Sequence, residues 1–433
     1  MRAAFVVVLA LGLGAPALSA HAAEPSGAVV ATRITQDDAL AAFHATGLER
    51  LLADAAVDAA EGDARAGAKL PNPNLALEAG PVFNYTPCAA CWRFQLSAAL
   101  TDSGAVFELL SGKHGAKSDA GRAALAAAEQ DRVAMFRFLD AEVKQACIRV
   151  ALARARLRFA TEQNGYWVQG LEVQRLRATQ VIDEGALARF EVQKAASDQA
   201  VVDTAAELRL AQASLGYLLG ARTLAPAYEV DPSVLDDHAP ASLENATEES
   251  LRARARASRA ELGAADARQR WADAGLRVAE RSRFPTVVLG GWVAGQGIGA
   301  EANTPLGAGG MVAMDLPVFY QRQGQVSSAQ ASTVEQRVHI LQARAQIDME
   351  VSGAFAGVQT TRRMLDRSRA VAVAAKTSRD VLERQYNAGS APIVDFLDAQ
   401  RVYAMARSAE LASLAAYRSA LVELSRAVGE ELP

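Results

Sequence analysis

Residues 386–399 read Tyr-Asn-Ala-Gly-Ser-Ala-Pro-Ile-Val-Asp-Phe-Leu-Asp-Ala, and this stretch predicts a sharp turn between two helices. Gly389 can adopt the left-handed conformation that ends a helix, and Pro392 suits the first turn of the next one. Upstream, from about Arg322 to Tyr386, the chain lacks proline and repeats apolar residues at helical spacing. A helix of that length would extend roughly 97 Å at ~1.5 Å per residue. Such a length predicts a coiled coil or an elongated bundle.

The first half of the chain has a similar layout. A second long helical segment is expected from about Lys113 to Asp183, with a local break at Gly165 and Gly170. Ordered anchors recur at a spacing close to 210 residues, which predicts an internal duplication. The anchor pairs are Asp37–Leu40 with Glu248–Leu251, Pro73 with Pro285, Gly112 with Gly324, Gly185 with Gly389, and Gly220 with Gly429.

The duplication and the start of the chain define the domains that we expect. Arg2 precedes an apolar run over residues 3–18, and Ala20-His21-Ala22 has the small residues of a cleavage site, which indicates a secretory signal peptide. No cysteine stands directly after it, where lipidation would need one, and no later run is apolar enough for a membrane helix. The expected boundaries are a signal peptide at 1–22, a first repeat at 23–220, a loop-like linker at 221–247 and a second repeat at 248–433.

Each repeat also contains a predicted β-hairpin. Residues Trp92, Phe94, Leu96, Ala98 and Leu100 alternate with Arg93, Gln95, Ser97 and Ala99, and the partner strand carries Leu75, Leu77 and Ala79. The second half offers strands at 284–294, which includes Trp292, and at 310–316. One apolar face and one polar face, on strands of ~9 to 11 residues, are typical of strands that cross a bilayer.

Four strands per chain imply an oligomer. An open sheet edge would leave backbone groups unpaired in hydrocarbon, so strands in a membrane must close into a barrel. Two copies would give a narrow barrel filled by side chains, whereas three would give a 12-stranded barrel with a lumen. We therefore expect a homotrimer in contact with outer-membrane lipid. The alternative is a soluble α+β protein whose hairpins pack on its own helices.

Composition argues against several classes of function. The 45 basic and 49 acidic residues are spread along the chain and leave no nucleic-acid footprint. The histidines show no ligand spacing, and no motif for an enzyme or a cofactor is evident, so neither catalysis nor a metal centre is expected. Cys88 and Cys91 form a single C-x-x-C, for which a local disulfide is favoured, with free thiols or metal capture left open. Cys147 is expected to be buried and inert.

The turn at 386–399, together with Arg33–Leu40 and Leu70–Leu75, resembles the TolC-like outer-membrane efflux factor family over essentially the whole mature chain. The resemblance implies a trimeric tunnel in a Gram-negative bacterium. Its 12-stranded barrel would lie in the outer membrane, and its helical barrel would cross the periplasm to meet an adaptor protein and an inner-membrane pump.

Within that family, Leu316–Gly324 and Gly112-Lys113 resemble the cobalt-zinc-cadmium efflux branch. This resemblance implies export of divalent heavy-metal cations with a pump of the RND class. Two alternatives stay open: a duct for drugs, organic solutes or type I secretion, and a periplasmic coiled-coil adaptor. Thr46-Gly47-Leu48 and the loop from Pro87 to Cys91 depart from the family pattern.

The resemblance also assigns candidate site residues. Positions matching Tyr386, Asp395 and Asp398 belong to the closing network of the periplasmic entrance, although Ala391 stands where a basic partner is expected. Asp395 and Asp398 are three residues apart at a helix start, so three chains would present six carboxylates, and such a ring attracts cations. The alternative is that both are solvated helix-start residues.

The tips of the two helical hairpins are, by the same resemblance, candidate positions for docking the adaptor. These positions are Gly185, Leu187, Gly389 and Ser390, and the alternative is that they are plain turn residues. In the first tip, Glu191 would match Asp395, and Lys194 would stand where Asp398 is expected.

Overall fold

The computed structural model describes residues 33–81, 94–178, 184–221, 228–238, 240, 243, 246–296, 306–316 and 318–431. The first half contains β1 (Arg33–Ile34), α1 (Gln36–Thr46), α2 (Leu48–Gly67), β2 (Asn74–Pro81), β3 (Phe94–Thr101), α3 (Ala105–Leu110), α4 (Lys113–Ala178) and α5 (Glu184–Leu218). The second half contains β4 (Glu229–Val230), α6 (Glu248–Ser258), α7 (Ala260–Arg281), β5 (Val287–Gln296), β6 (Leu306–Met314), α8 (Gln323–Asn387) and α9 (Ile393–Val428). The predicted signal peptide and the Cys88–Cys91 loop lie outside the described residues.

The predicted fold class is confirmed: long helices dominate, and the described residues contribute four strands to one sheet. Helices α4 and α8 have 66 and 65 residues, so each extends roughly 100 Å. The predicted break in the first of them is wrong, because α4 continues through Gly165 and Gly170. A side chain at Gly170 would lie 2.9 Å from the Phe190 ring, so this glycine permits close packing of α5 on α4.

In both halves, the first helix begins with the same kind of cap and ends bonded to the end of the last helix. α1 and α6 are each preceded by a capping threonine, Thr35 and Thr247. Its hydroxyl accepts from the backbone N–H of the third helical residue, and its own backbone N–H donates to the side chain of that residue. At the other end of the same helices, the Thr46 hydroxyl donates to the Leu219 carbonyl at 2.7 Å, and the Ser258 hydroxyl donates to the Val428 carbonyl at 2.7 Å. A hydroxyl at the end of the first helix therefore satisfies a carbonyl at the end of the last helix in both halves.

Part of the segment between the halves forms regular secondary structure. β4 pairs in parallel with β1, and residues Pro232–Leu235 form a 3₁₀ turn. Val230 and Val234 are buried with Phe43 and Leu215, in the core that α1, α4 and α5 form. The expectation of a loop-like linker is therefore wrong for these residues, because their apolar side chains complete the core of the first half.

The same core contains Cys147. The side chain is fully buried inside α4, as the sequence predicts, and burial raises the pKa of its thiol to about 12. The thiol is therefore protonated at neutral pH, where it packs as a small apolar group.

The halves meet where α4 of the first packs against α7 of the second. Arg268 on α7 forms an ion pair with Asp131 on α4, and Gly263 approaches the side chain of Gln130. On the opposite sides of the chain, α2 exposes Leu51 and Leu52, and α8 exposes Leu341.

The four-stranded sheet has the order β2-β3-β5-β6, with every neighbouring pair antiparallel. The register divides its side chains between two faces. One face is apolar and exposed, and its large side chains include Leu75, Leu77, Leu96, Leu100, Leu289, Val293 and Val312. The other face carries small and polar residues, among them Glu78, Gln95, Ser97 and Thr101. The predicted alternation in β3 is confirmed at Leu96 and Leu100.

Candidate functional site

The turn between α8 and α9 forms the tip of the second helical hairpin. Gly389 has a φ of +76°, and its N–H donates to the Tyr386 carbonyl at 3.0 Å. The next N–H, from Ser390, donates to the Gln385 carbonyl at 2.9 Å, so these bonds satisfy carbonyls that the end of α8 would otherwise leave unpaired. Pro392 lies immediately before α9 with extended backbone, which starts the return helix.

An aromatic cluster fixes this tip to the first hairpin. Phe396 is 2% exposed, and the Tyr386 ring stacks on it at 5.5 Å with an interplanar angle of 8°. The rings of Tyr166, Trp167 and Phe190 lie between 6.3 and 6.5 Å from Phe396. Because these five residues come from α4, α5, α8 and α9, the cluster joins the ends of all four helices.

A polar bond supports the cluster at its edge. The Tyr166 hydroxyl donates to Glu383 on α8 at 2.9 Å. Burial, followed by the bond to Glu383, raises the pKa of Tyr166, so the hydroxyl keeps its proton at neutral pH and acts as the donor. This bond connects the two halves independently of the ring contacts.

The carboxylates that the sequence selected lie on the outside of this cluster. Asp395 and Asp398 are exposed, whereas Ile393, Phe396 and Ala399 on the same helix are buried. The side chain of Asp398 forms an ion pair with Arg401 at 2.7 Å, one helical turn further along. The two acids therefore face away from the core of the hairpins, and the positive charge of Arg401 offsets that of Asp398.

The structure brings Tyr386, Asp395 and Asp398 together at one tip. Tyr386 packs under α9 through its stack on Phe396, whereas the two acids are presented to solvent. Their role in closing an entrance stays a prediction. The same holds for Gly389 and Ser390 as docking positions, and both are exposed at the turn.

The first tip differs from the expected arrangement. α5 begins at Glu184, so Gly185 lies in its first turn, whereas Gly389 lies between two helices. Residues 179–183, which precede Glu184 at this tip, lie outside the described residues. The pairing of Gly185 with Gly389, and the matches of Glu191 and Lys194 to Asp395 and Asp398 that depend on it, therefore stay predictions.

The candidate docking residues of the first tip have different surroundings. Gly185 is exposed, and Leu187 is half-buried against the aromatic cluster. Lys194 forms an ion pair with Asp198 at 2.6 Å. A partner reaching this tip would therefore meet the backbone at Gly185 before the side chain of Leu187.

Sequence reasoning missed Arg401 and the aromatic residues that surround Tyr386. Phe396 and Phe190 gave no signal beyond apolar spacing, because their partners lie on other helices. Arg401 stands three residues after Asp398, a spacing that is a helical ion-pair signal in its own right.

The described ranges contain neither a candidate metal centre nor a helix suited to cross a membrane. No cluster of three or more His, Cys, Asp or Glu side chains there is arranged as metal ligands would be. Within the same ranges, no helix combines the length and the apolar character that a membrane crossing requires.

Comparison with known proteins identifies the architecture. Residues 251–430 match the sequence model of the family described as outer membrane efflux protein. No curated protein sequence matches the chain.

Solved structures match over most of the chain. A membrane protein from Pseudomonas aeruginosa superposes with a TM-score of 0.74 at 20% identity, covering 91% of this chain and 90% of its own. CusC, described for its folding and transmembrane channel formation, gives 0.73 at 19% identity, with 91% and 92% covered. The open MtrE outer membrane channel of Neisseria gonorrhoeae gives 0.70 at 16% identity, with 92% and 89% covered. Residues 251–430 therefore match the sequence model of the outer membrane efflux protein family, and the chain as a whole shares the fold of these solved outer-membrane channels.

Proposed function

We propose that the protein is the outer-membrane exit channel of a tripartite efflux system. It acts as a homotrimer in which three four-stranded sheets close a 12-stranded barrel, and the long helices form a tunnel through the periplasm. The observation that carries the proposal is the combination of a sheet with one exposed apolar face and helices roughly 100 Å long. This combination suits lipid at one end and a long aqueous path at the other.

The proposed partners follow from the same architecture. A periplasmic adaptor would dock on the exposed hairpin tips, including Gly389 and Ser390, and an inner-membrane pump of the RND class would supply the energy. The channel itself would be passive and would not catalyse a reaction. The adaptor alternative has less support, because the solved structures that the chain resembles are channels and the sheet offers an exposed apolar face suited to lipid.

The cargo that we propose is a divalent heavy-metal cation. The support is the resemblance of Leu316–Gly324 to the metal-efflux branch and the exposed acids Asp395 and Asp398 at the tip. Carboxylates around a narrow opening favour cations over anions. Organic solutes are the second candidate, since such acids do not exclude them.

Growth of a deletion strain tests the cargo. The strain is grown on graded Co, Zn, Cd, Ni, Cu and Ag salts beside dyes, detergents and antibiotics, with the intact gene restored as the control. Sensitivity to metals alone, reversed by the gene, is the expected result. Sensitivity to organic compounds alone would keep the channel and overturn the metal cargo.

A further inference from the structure

Trp292 lies on the face of the four-stranded sheet that carries Glu78, Ser97 and Thr101, and not on the exposed apolar face. It is register-paired with Ala99 on β3 and with Gly309 on β6, so it points to the same side as Ser97, Thr101 and Glu78. Its neighbour Val293 points to the apolar side with Leu289 and Leu77. A tryptophan at a lipid interface would belong on that apolar side, so Trp292 serves the other face.

Glycines hold the indole flat against the sheet. A side chain at Gly309 would lie 2.9 Å from the indole Nε1, and one at Gly307 would lie 3.3 Å from its six-membered ring. The ring therefore covers the backbone of β6 where side chains are missing. One ring face is packed, and the residue remains 39% exposed, so the other face is open to the space in front of the sheet.

The sheet face that carries Trp292 also carries one negative charge. Glu78 is the only charged residue within the four strands, and it shares the face of Trp292. Tryptophan is the best aromatic partner for a cation that approaches its ring face. The neighbouring glycines and alanines leave room for a bulky group beside the ring.

We propose that Trp292 is a binding platform for organic cations on the inner wall of the barrel. The cations are of the quaternary or aromatic ammonium class, which lose little hydration on contact with a ring. In a trimer, three such platforms and three Glu78 carboxylates surround the lumen. The inference rests on the proposed channel, but it does not depend on which cargo the channel carries.

Channel block by tetrabutylammonium tests this platform. The full-length trimer is reconstituted in a planar bilayer, and the concentration that halves its conductance is measured. Trp292→Ala should raise that concentration roughly 2- to 30-fold, as the loss of a cation–ring contact predicts. Met311→Ala on the same face is the matched control and should change it less than about twofold. Equal block of the wild type and Trp292→Ala would overturn the proposal.

Trp292→Phe covers the case in which the alanine variant does not assemble. It keeps a ring over the glycines, and block should be weaker by at least about twofold, because phenylalanine is the poorer partner. Equal block by the two aromatic residues would again overturn the platform. A wild-type protein that forms no conducting pore would instead refute the proposed channel, so the two failures are distinguishable.

The side to which Trp292 points has its own test. In a background with Cys88 and Cys91 replaced by Ser, Trp292→Cys should react with a charged, water-soluble thiol reagent and lower the conductance. Val293→Cys, one residue along on the opposite face, should not. The reverse result would place Trp292 against lipid and overturn the inference.

Discussion

Replacing Phe396 by Ala should release the ends of the hairpins from one another. Phe396 is almost fully buried and contacts four other rings, from three helices besides its own. Truncation of a buried phenylalanine costs about 3 to 5 kcal/mol, since the lost transfer energy and the cavity add together. At ~1.4 kcal/mol per factor of ten, the population of open tips should rise roughly 100- to 3000-fold.

Hydrogen exchange of the purified protein measures that population directly. The backbone amides around Tyr386 and Trp167 should exchange faster by about two to three orders of magnitude, while those of the α1–α4 core should not change. Val394→Ala is the matched control, because Val394 is exposed on the same turn and its truncation should cost less than about 0.5 kcal/mol. Phe396→Leu should give an intermediate rate.

The result that would refute this reasoning is an increase of less than about tenfold at both amide groups in Phe396→Ala. Other contacts would then hold the tips together. The Tyr166–Glu383 hydrogen bond is the first of these contacts to test by mutation. Tyr166→Phe deletes that hydroxyl and keeps the ring, so it separates the two possibilities.

Further predictions concern charge and burial. Asp395→Asn should weaken block by multivalent cations added on the periplasmic side more than Asp398→Asn does, because Arg401 already offsets Asp398; equal effects in bilayer recordings would count against that pairing. Arg259→Met should lower stability by about 3 kcal/mol in thermal unfolding, since it leaves the mostly buried Glu350 short of a partner, and an unchanged midpoint would show that Arg426 suffices. Burial opposes ionisation of Glu350, but Gln346, Arg259 and Arg426 outweigh burial and lower the pKa of this carboxyl from 4.5. The stability that the ionised group contributes is therefore complete above pH 4.5 and falls as acid protonates the carboxyl. Between about pH 6 and pH 3, the unfolding midpoint should fall less steeply in Arg259→Met than in the wild type. Cys147 should resist thiol reagents at neutral pH until the protein unfolds, and rapid labelling of the Cys88→Ser, Cys91→Ser variant would contradict its burial.

The lengths of the helices could be predicted because proline and periodicity act locally. From about Arg322 to Tyr386 the predicted segment differs from α8 by one residue at each end. Gly165 and Gly170 misled the prediction of α4, since an isolated glycine costs only ~1 kcal/mol in a helix. Packing of α4 against α2, α5 and α7 outweighs that cost.

The candidate site could be predicted only in part. The turn at Gly389 and the acids Asp395 and Asp398 follow from residues close in sequence. The contact of Phe396 with Trp167 joins residues more than two hundred positions apart, and apolar spacing does not reveal which helices meet. Trp292 shows the same limit for strands: alternation puts it opposite Val293, but only the register of three strands shows that it shares a face with Ser97 and Thr101.

The contact of α4 with α7 carries a consequence for how copies associate. The contact joins α7 of the second half to α4, the long helix of the first half. Each half therefore has two different contact surfaces, and the halves associate head to tail. The position equivalent to Asp131 in the second half is Leu341, and the position equivalent to Gly263 in the first half is Leu51; both leucines are exposed in a single chain. If neighbouring chains repeat this contact, apolar side chains of the next chain would cover these leucines. The contact within one chain has the Asp131–Arg268 ion pair at the equivalent place. Three copies would then form a ring of six half-units with approximate sixfold symmetry, in which polar joints within chains alternate with apolar joints between them.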